Sequence, residues 1–206
     1  MNQASEMTGK IFGIGLPKTG TSSLGRCFEI LGLSKAPYNL ELINNVAGGE
    51  RQGLDEMVAK YDSFEDWPWP VLYQELDQAY PEARFILTLR EDEHVWLRSL
   101  QKHTARNTQA NSKWLREKFF GHQDPWQGGD HYKAFYRKHE EEVKCYFSGR
   151  PEKLLIVNWE SGDGWAELCA FLGYPVPDID FPHINPAEGN SDFRKFLRGI
   201  KKRFWS

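Results

Sequence analysis

The stretch Ile11-Phe12-Gly13-Ile14-Gly15-Leu16-Pro17-Lys18-Thr19-Gly20-Thr21-Ser22-Ser23-Leu24 decides the fold. A short apolar run, Ile11–Ile14, leads through a glycine-bearing loop into Leu24, Cys27, Phe28 and Leu31 at helical spacing. Strand, loop and helix in that order make an anion site. Backbone N–H groups of the loop and first helical turn have no internal partners, and the helix dipole adds partial positive charge there. Gly20 lets the backbone approach an anion closely, Lys18 adds a full charge, and Thr19, Thr21, Ser22 and Ser23 offer hydroxyl donors. A phosphate, or a group of its shape, is the natural ligand.

Gly15 and Gly20 stand five apart, as in the nucleotide-binding P-loop, but Thr21 occupies the position where that motif has lysine. The lysine stands two residues before Gly20 instead. Pro17-Lys18-Thr19-Gly20-Thr21-Ser22-Ser23-Leu24 resembles the 5′-phosphosulfate loop of the sulfotransferases, which use 3′-phosphoadenosine 5′-phosphosulfate (PAPS) as donor and release 3′,5′-phosphoadenosine (PAP). The resemblance implies that Pro17, Lys18, Thr19, Gly20, Thr21, Ser22 and Ser23 bind the donor. It implies that Lys18 stabilises the charge developing on the oxygen between phosphorus and sulfur.

Outward from the loop, strand-like runs alternate with helical stretches, so the fold expected is α/β: a P-loop NTPase-like three-layer fold with a central, mainly parallel sheet flanked by helices. The first strand is expected at about 10–14 and a helix at 22–31. Short helices follow at 40–46 and 54–61, an extended piece at 63–66 and a helix at 71–80. Arg84–Arg90 is the clearest strand, and its apolar run suits burial on both faces. Lys153–Val157 reads as a second buried strand. Helices are expected at 111–120, 132–147 and 164–172, with a mobile loop at 121–130. No repeat or linker divides the 206 residues, which suit one domain, with 1–9 as a flexible N-terminus.

Ligands of open α/β sheets bind beyond the carboxyl ends of the strands. Arg90 stands at such an end, and its planar fork suits a second phosphate. In sulfotransferases an arginine at the end of such a strand and a serine on the next helix hold the donor's 3′-phosphate. The resemblance carries those roles to Arg90 and Ser99, although the interval is one residue longer than is common in the family. Arg98 is an alternative contact or a solvated helix charge. A kinase holding Mg²⁺ needs an aspartate at a buried strand end, whereas Arg90 and Asn158 stand at those positions. No metal is expected.

Transfer to a hydroxyl or amine needs a base. Cytosolic sulfotransferases use a histidine in a His-x-Pro turn; Asp66-Trp67-Pro68 resembles a branch with Asp-x-Pro there, which implies Asp66 as base. Glu75, on the following helix, is the second candidate. The alternative reading of Asp66 is a turn or cap residue. His94, His103 and His131 read as solvated. Val157-Asn158-Trp159-Glu160, Gly164–Gly173 and Phe181-Pro182-His183-Ile184-Asn185 resemble later family segments and receive no catalytic role.

Composition bounds the rest. With 40% hydrophobic and 27% charged residues the chain is expected to be soluble, and no apolar run is long enough for a membrane span. The N-terminus lacks a signal peptide's basic start and apolar core. Cys27, Cys145 and Cys169 are too few and too dispersed for a disulfide framework or a zinc site, so a cytoplasmic location is expected. A net charge of −3 gives no general attraction to nucleic acid. The region 104–131 is the candidate acceptor lid; its Trp114, Phe119, Phe120 and Trp126 read as pocket lining or as core. Residues 190–206 form an expected basic amphipathic helix, packed on the domain, reaching the donor's 3′-phosphate, or touching an anionic membrane. The function expected from the resemblance is transfer of a sulfuryl group from PAPS to a hydroxyl or amine of a small-molecule acceptor; the alternatives are an ATP-dependent small-molecule kinase and a non-catalytic nucleotide-binding protein of the same fold.

Overall fold

Strands β1 (Ile11–Gly13), β2 (Ser63–Phe64), β3 (Arg84–Thr88) and β4 (Leu154–Val157) form one parallel sheet in the order β2-β1-β3-β4. The computed structural model describes residues 9–106 and 110–184. Parallel neighbours require crossover connections, and helices supply them. Helices α1 (Thr21–Ile30), α2 (Leu40–Ala47) and α3 (Leu54–Lys60) lie between β1 and β2 in the chain. A 3-10 turn (Trp69–Val71) and α4 (Tyr73–Ala79) connect β2 to β3. Between β3 and β4 run α5 (Glu93–Arg106), α6 (Ala110–Phe120) and α7 (Gly129–Tyr146); α8 (Trp165–Leu172) follows β4.

Side-chain alternation along the strands builds a core on each face of the sheet. Phe12, Phe64, Phe85 and Leu87 point to one face, where residues of α2, α3, α4 and α7 cover them. Ile11, Ile86 and Val157 point to the other, under α1 and α8. In-register pairing aligns Phe12 with both Phe64 and Phe85. Their rings stack at 4.7 and 5.6 Å, so an aromatic row crosses three strands. Each such contact contributes about 0.5–1.5 kcal/mol beyond its buried area. A third cluster caps the carboxyl edge of the sheet and joins Leu16 of the β1–α1 loop to Trp96, Leu97 and Leu100 of α5, with Tyr132 and Tyr136 of α7.

The strand order places the working end. The connection leaving β1 runs to one side, to β2, and the connection leaving β3 runs to the other, to β4. A crevice therefore opens between the carboxyl ends of β1 and β3.

Three local expectations change. Lys153–Val157 was expected as a buried strand, but β4 is an edge strand: Ile156 is 41% exposed and only Val157 is buried. An apolar run does not specify its place in the sheet. The helix expected from residue 71 begins at Tyr73, because Pro70 sits in the preceding 3-10 turn. The loop expected to be mobile at 121–130 is tied down: Gln101 and Arg116 donate to the carbonyls of Pro125 and Gln123, and the Tyr132 hydroxyl to that of His122. Most of the expected N-terminal segment, residues 107–109 of the expected lid and the basic helix at 190–206 lie outside the described residues. No helix among the described residues is long and apolar enough to cross a membrane.

Candidate active site

The β1–α1 loop is built by close packing on the end of β3. A Cβ added to Gly15 would lie 2.0 Å from Thr88 Oγ1 and 2.6 Å from its carbonyl, so only glycine fits against that strand. Thr19 Oγ1 donates to the Leu16 carbonyl at 2.7 Å and therefore accepts from Thr88 Oγ1, at 2.6 Å. That hydroxyl faces inward and is not available to an anion, which corrects the expectation for its side chain. Ser23 Oγ accepts the Ile184 N–H at 3.0 Å. Ser22 is exposed at the start of α1, where the first N–H groups precede any helical carbonyl partner. Trp96 Nε1 of α5 donates to the Pro17 carbonyl at 2.8 Å and fixes the loop from above.

Two residues bend the loop into a cradle. Lys18 has φ 77° and Gly20 φ 101°, both left-handed. For a lysine that conformation costs about 1 kcal/mol or more, so the surroundings must impose it. They do: Arg90 Nε donates to the Lys18 carbonyl at 2.7 Å. At Gly20 a Cβ would stand 2.4 Å from Trp159 Cδ1, and Trp159 Nε1 donates to the Gly20 carbonyl at 3.3 Å. Burial holds the Lys18 ammonium below the usual lysine range; Asp66 opposes that shift, and Arg90 and Arg106 add to it.

Arg90 lies just beyond β3, its side chain only 16% exposed. Its backbone N–H donates to the Tyr136 hydroxyl at 3.0 Å. Nη1 meets the carboxylate of Glu160, which is half-exposed on the 3-10 turn (Trp159–Ser161) after β4. The guanidinium thus bridges two loops: Nε donates to the β1–α1 loop and Nη1 meets a half-exposed carboxylate.

Asp66 follows β2, on the other side of β1. It too is left-handed, with φ 66°, and precedes a cis Trp67–Pro68 bond. Its Oδ1 accepts the Trp67 N–H at 2.8 Å. Burial pushes the Asp66 carboxyl up, while the Trp67 N–H, Lys18 and Lys35 pull it back. Trp67 stacks on Phe119 at 4.0 Å, which packs the end of α6 over this turn. Phe119 and Phe120 are therefore core, whereas Trp114 and Trp126 are exposed. The exposed Tyr38 lies in the field of the Asp66 carboxylate.

The structure thus places Lys18, Asp66 and Arg90 near one another around the end of β1. It does not bring Glu75 there: its carboxylate receives Arg51 Nε at 2.8 and 3.0 Å and is 45% exposed on α4. Ser99 is half-buried on α5, three residues beyond Trp96, and Arg98 is exposed. His94, His103 and His131 are exposed as expected. His103 nonetheless sits near Lys18, Arg116 and Arg106, which join desolvation in lowering its pKa. Sequence reasoning missed Trp159 and Glu160 as walls of the cleft. It also missed His139, buried in α7, whose Nε2 donates to the Ile14 carbonyl at 2.9 Å. The signal for His139 was the stripe Tyr132, Tyr136, His139, Val143, all buried. No group of three or more His, Cys, Asp or Glu side chains is placed to hold a metal ion among the described residues.

A parallel α/β sheet with a glycine-bearing strand-to-helix loop at its switch point defines a P-loop-like domain. Residues 10–189 match the sulfotransferase domain family, and the chain belongs to it. It is similar to Ava biosynthesis cluster protein M of Aspergillus versicolor, with 29% identity over 237 aligned positions covering 95% of this chain and 86% of that protein. Membership supports a sulfotransfer-type activity.

Proposed function

We propose that this chain moves a sulfuryl group from PAPS to a hydroxyl or amine of a small-molecule acceptor, releasing PAP. The observation that carries the reading is the cradle at residues 15–23, with left-handed Lys18 clamped by Arg90 and facing Asp66 across the end of β1. The cradle fits a tetrahedral anion: a glycine with no room for a Cβ, open helix N–H groups and a lysine. Arg90, with Ser99 beyond it, is the proposed seat of the donor's second phosphate.

In this reading the acceptor oxygen attacks sulfur in line with the bond to the 5′-phosphate. That bond breaks, its electron pair passes to the phosphate oxygen, and Lys18 stabilises the charge there. The acceptor's proton goes to an Asp66 carboxylate oxygen. An ordinary aspartate, with pKa about 4, is a weak base at neutral pH; burial of Asp66 improves the match. The relative's name, a biosynthesis cluster protein, fits a small-molecule acceptor. Free Cys27, Cys145 and Cys169 fit a reducing, cytoplasmic setting, and the reading takes the chain as one domain.

Calorimetry with PAP in the absence of metal, beside ATP with and without Mg²⁺, tests the donor. Micromolar PAP binding indifferent to Mg²⁺ is expected, followed by acceptor-dependent release of PAP from PAPS. Mg²⁺-dependent preference for ATP would replace this reading by a kinase. PAP binding without turnover on any acceptor would leave a non-catalytic nucleotide-binding protein.

A further inference from the structure

Helix α7 carries two buried polar side chains that the reaction above does not use, and each holds a backbone group of the site. Tyr136 and His139 stand three residues apart on the buried stripe of the helix. The Tyr136 hydroxyl accepts the Arg90 N–H at 3.0 Å and donates to the Arg90 carbonyl at a long 3.5 Å. His139 Nε2 meets the Ile14 carbonyl at 2.9 Å. A carbonyl oxygen only accepts, so Nε2 carries a proton and donates it to the bond. The Ile14 N–H still belongs to the sheet and donates to the Ile86 carbonyl at 2.8 Å. The Ile14 carbonyl is taken by the helix instead, one residue before Gly15 opens the loop. Both side chains are fixed in turn. The Tyr136 ring packs on Trp96 at 5.0 Å, and Trp96 Nε1 holds the Pro17 carbonyl. The His139 ring meets Tyr73 edge to face at 6.2 Å.

We propose that Tyr136 and His139 are positioning residues for donor binding: from one face of α7 they set the spacing between the β1–α1 loop and Arg90. The role rests on the reading of that loop and Arg90 as seats of the donor's two phosphates. Three residues of α-helix rise about 4.5 Å. Neighbouring strands lie about 4.8 Å apart. One helix can therefore hold the ends of the adjacent strands β1 and β3 with two side chains about one turn apart. Arg90 closes the frame, because its Nε donates to the Lys18 carbonyl at 2.7 Å. The frame runs from Ile14 to His139, along α7 to Tyr136, on to Arg90 and back to Lys18. Each of its hydrogen bonds ends on a backbone atom, so the Lys18 ammonium and the Arg90 Nη atoms stay outside it. A ligand with one phosphate needs one loop in place. A ligand with two phosphates needs both loops at a fixed interval. Setting that interval before the ligand arrives removes an ordering cost from binding.

Spacing is tested by comparing PAP with its two halves. Calorimetry on the full chain measures PAP, adenosine 5′-monophosphate and adenosine 3′-monophosphate. Tyr136→Phe keeps the ring and removes the hydroxyl; it should weaken PAP by about three- to tenfold while each monophosphate holds within about twofold. His139→Leu should do the same. His139→Gln retains an N–H donor at similar reach and should restore PAP binding. A merely structural role predicts equal affinities in every variant that folds. PAP affinity unchanged in Tyr136→Phe and His139→Leu, or all three nucleotides weakened alike, overturns the proposal. Should His139→Leu fail to fold, Tyr136→Phe decides alone. Amide hydrogen exchange without nucleotide separates the frame from the donor reading. The Arg90 amide should exchange about tenfold or more faster in Tyr136→Phe, and no change there overturns the proposal whatever binds. A faster Arg90 amide in a chain that does not bind PAP would instead overturn the donor reading, and the donor-positioning role with it.

Discussion

The ends of β2 and β3 flank the end of β1 and are electrostatic opposites. Beyond β3 stands a cation, Arg90, braced by the carboxylate of Glu160. Beyond β2 stand two carboxylates, Glu65 and Asp66, braced by Lys35 and faced by Lys18. The cation's brace comes from a turn residue that is half-exposed. The carboxylates are enclosed by α1 and the stacked Trp67, so their charge is governed by the protein. One strand end thus holds a cation and the other a pair of carboxylates. Lys18, on the loop after the strand between them, lies in the field of both.

Substitutions on the two sides should therefore differ in kind as well as size. Asp66→Asn should lower turnover by about 10²–10⁴-fold while PAP affinity holds, measured by steady-state kinetics beside calorimetry. A small loss there with a large one in Glu75→Gln would move the base to α4. Lys18→Ala should lower kcat by about tenfold or more, because its charge acts on the leaving oxygen in the transition state. Unchanged kcat with a confirmed acceptor would remove that role. Arg90→Ala should instead weaken PAP by about ten- to a hundredfold, the value of one or two charge-assisted hydrogen bonds. Equal loss of kcat at saturating donor would blur the division between the strand ends.

The remaining effects are smaller. Glu160→Gln weakens the brace on Arg90, so PAP should bind about two- to tenfold more tightly; weaker binding would show that Glu160 orients Arg90. Glu75→Gln removes a solvent-exposed ion pair with Arg51, so turnover should hold within about twofold and stability within about 1 kcal/mol by urea unfolding.

Much of the cleft was legible because its parts are local. The cradle needs a strand, two glycines and a helix start within a few consecutive residues, and Ile11–Leu24 shows all of them. Arg90 is a candidate because a strong apolar strand ends beside it, and Asp66 because Asp66-Trp67-Pro68 resembles the family's Asp-x-Pro turn. The inward turn of the Thr19 hydroxyl was not legible, since its partner Thr88 is 69 residues away. Nor was His139: its neighbours Lys138, Glu140, Glu141 and Glu142 make a charged run, and only the helical period shows that it points inward. Trp159 and Glu160 were seen as family-like residues, but their contacts with Gly20 and Arg90 span 139 and 70 positions.

By itself the sequence determined the α/β class, the glycine-bearing loop between strand and helix, and the charge that each strand end carries, because these follow from short-range periodicity, turn chemistry and residue type. The tertiary structure alone decided that β4 lies at an edge, that Glu75 belongs to Arg51, and that Lys35 reaches Glu65 beneath α1. Those outcomes depend on which strand lies beside which and how closely a helix approaches the sheet. Both are fixed by the packing of residues far apart in the chain, which no local pattern encodes.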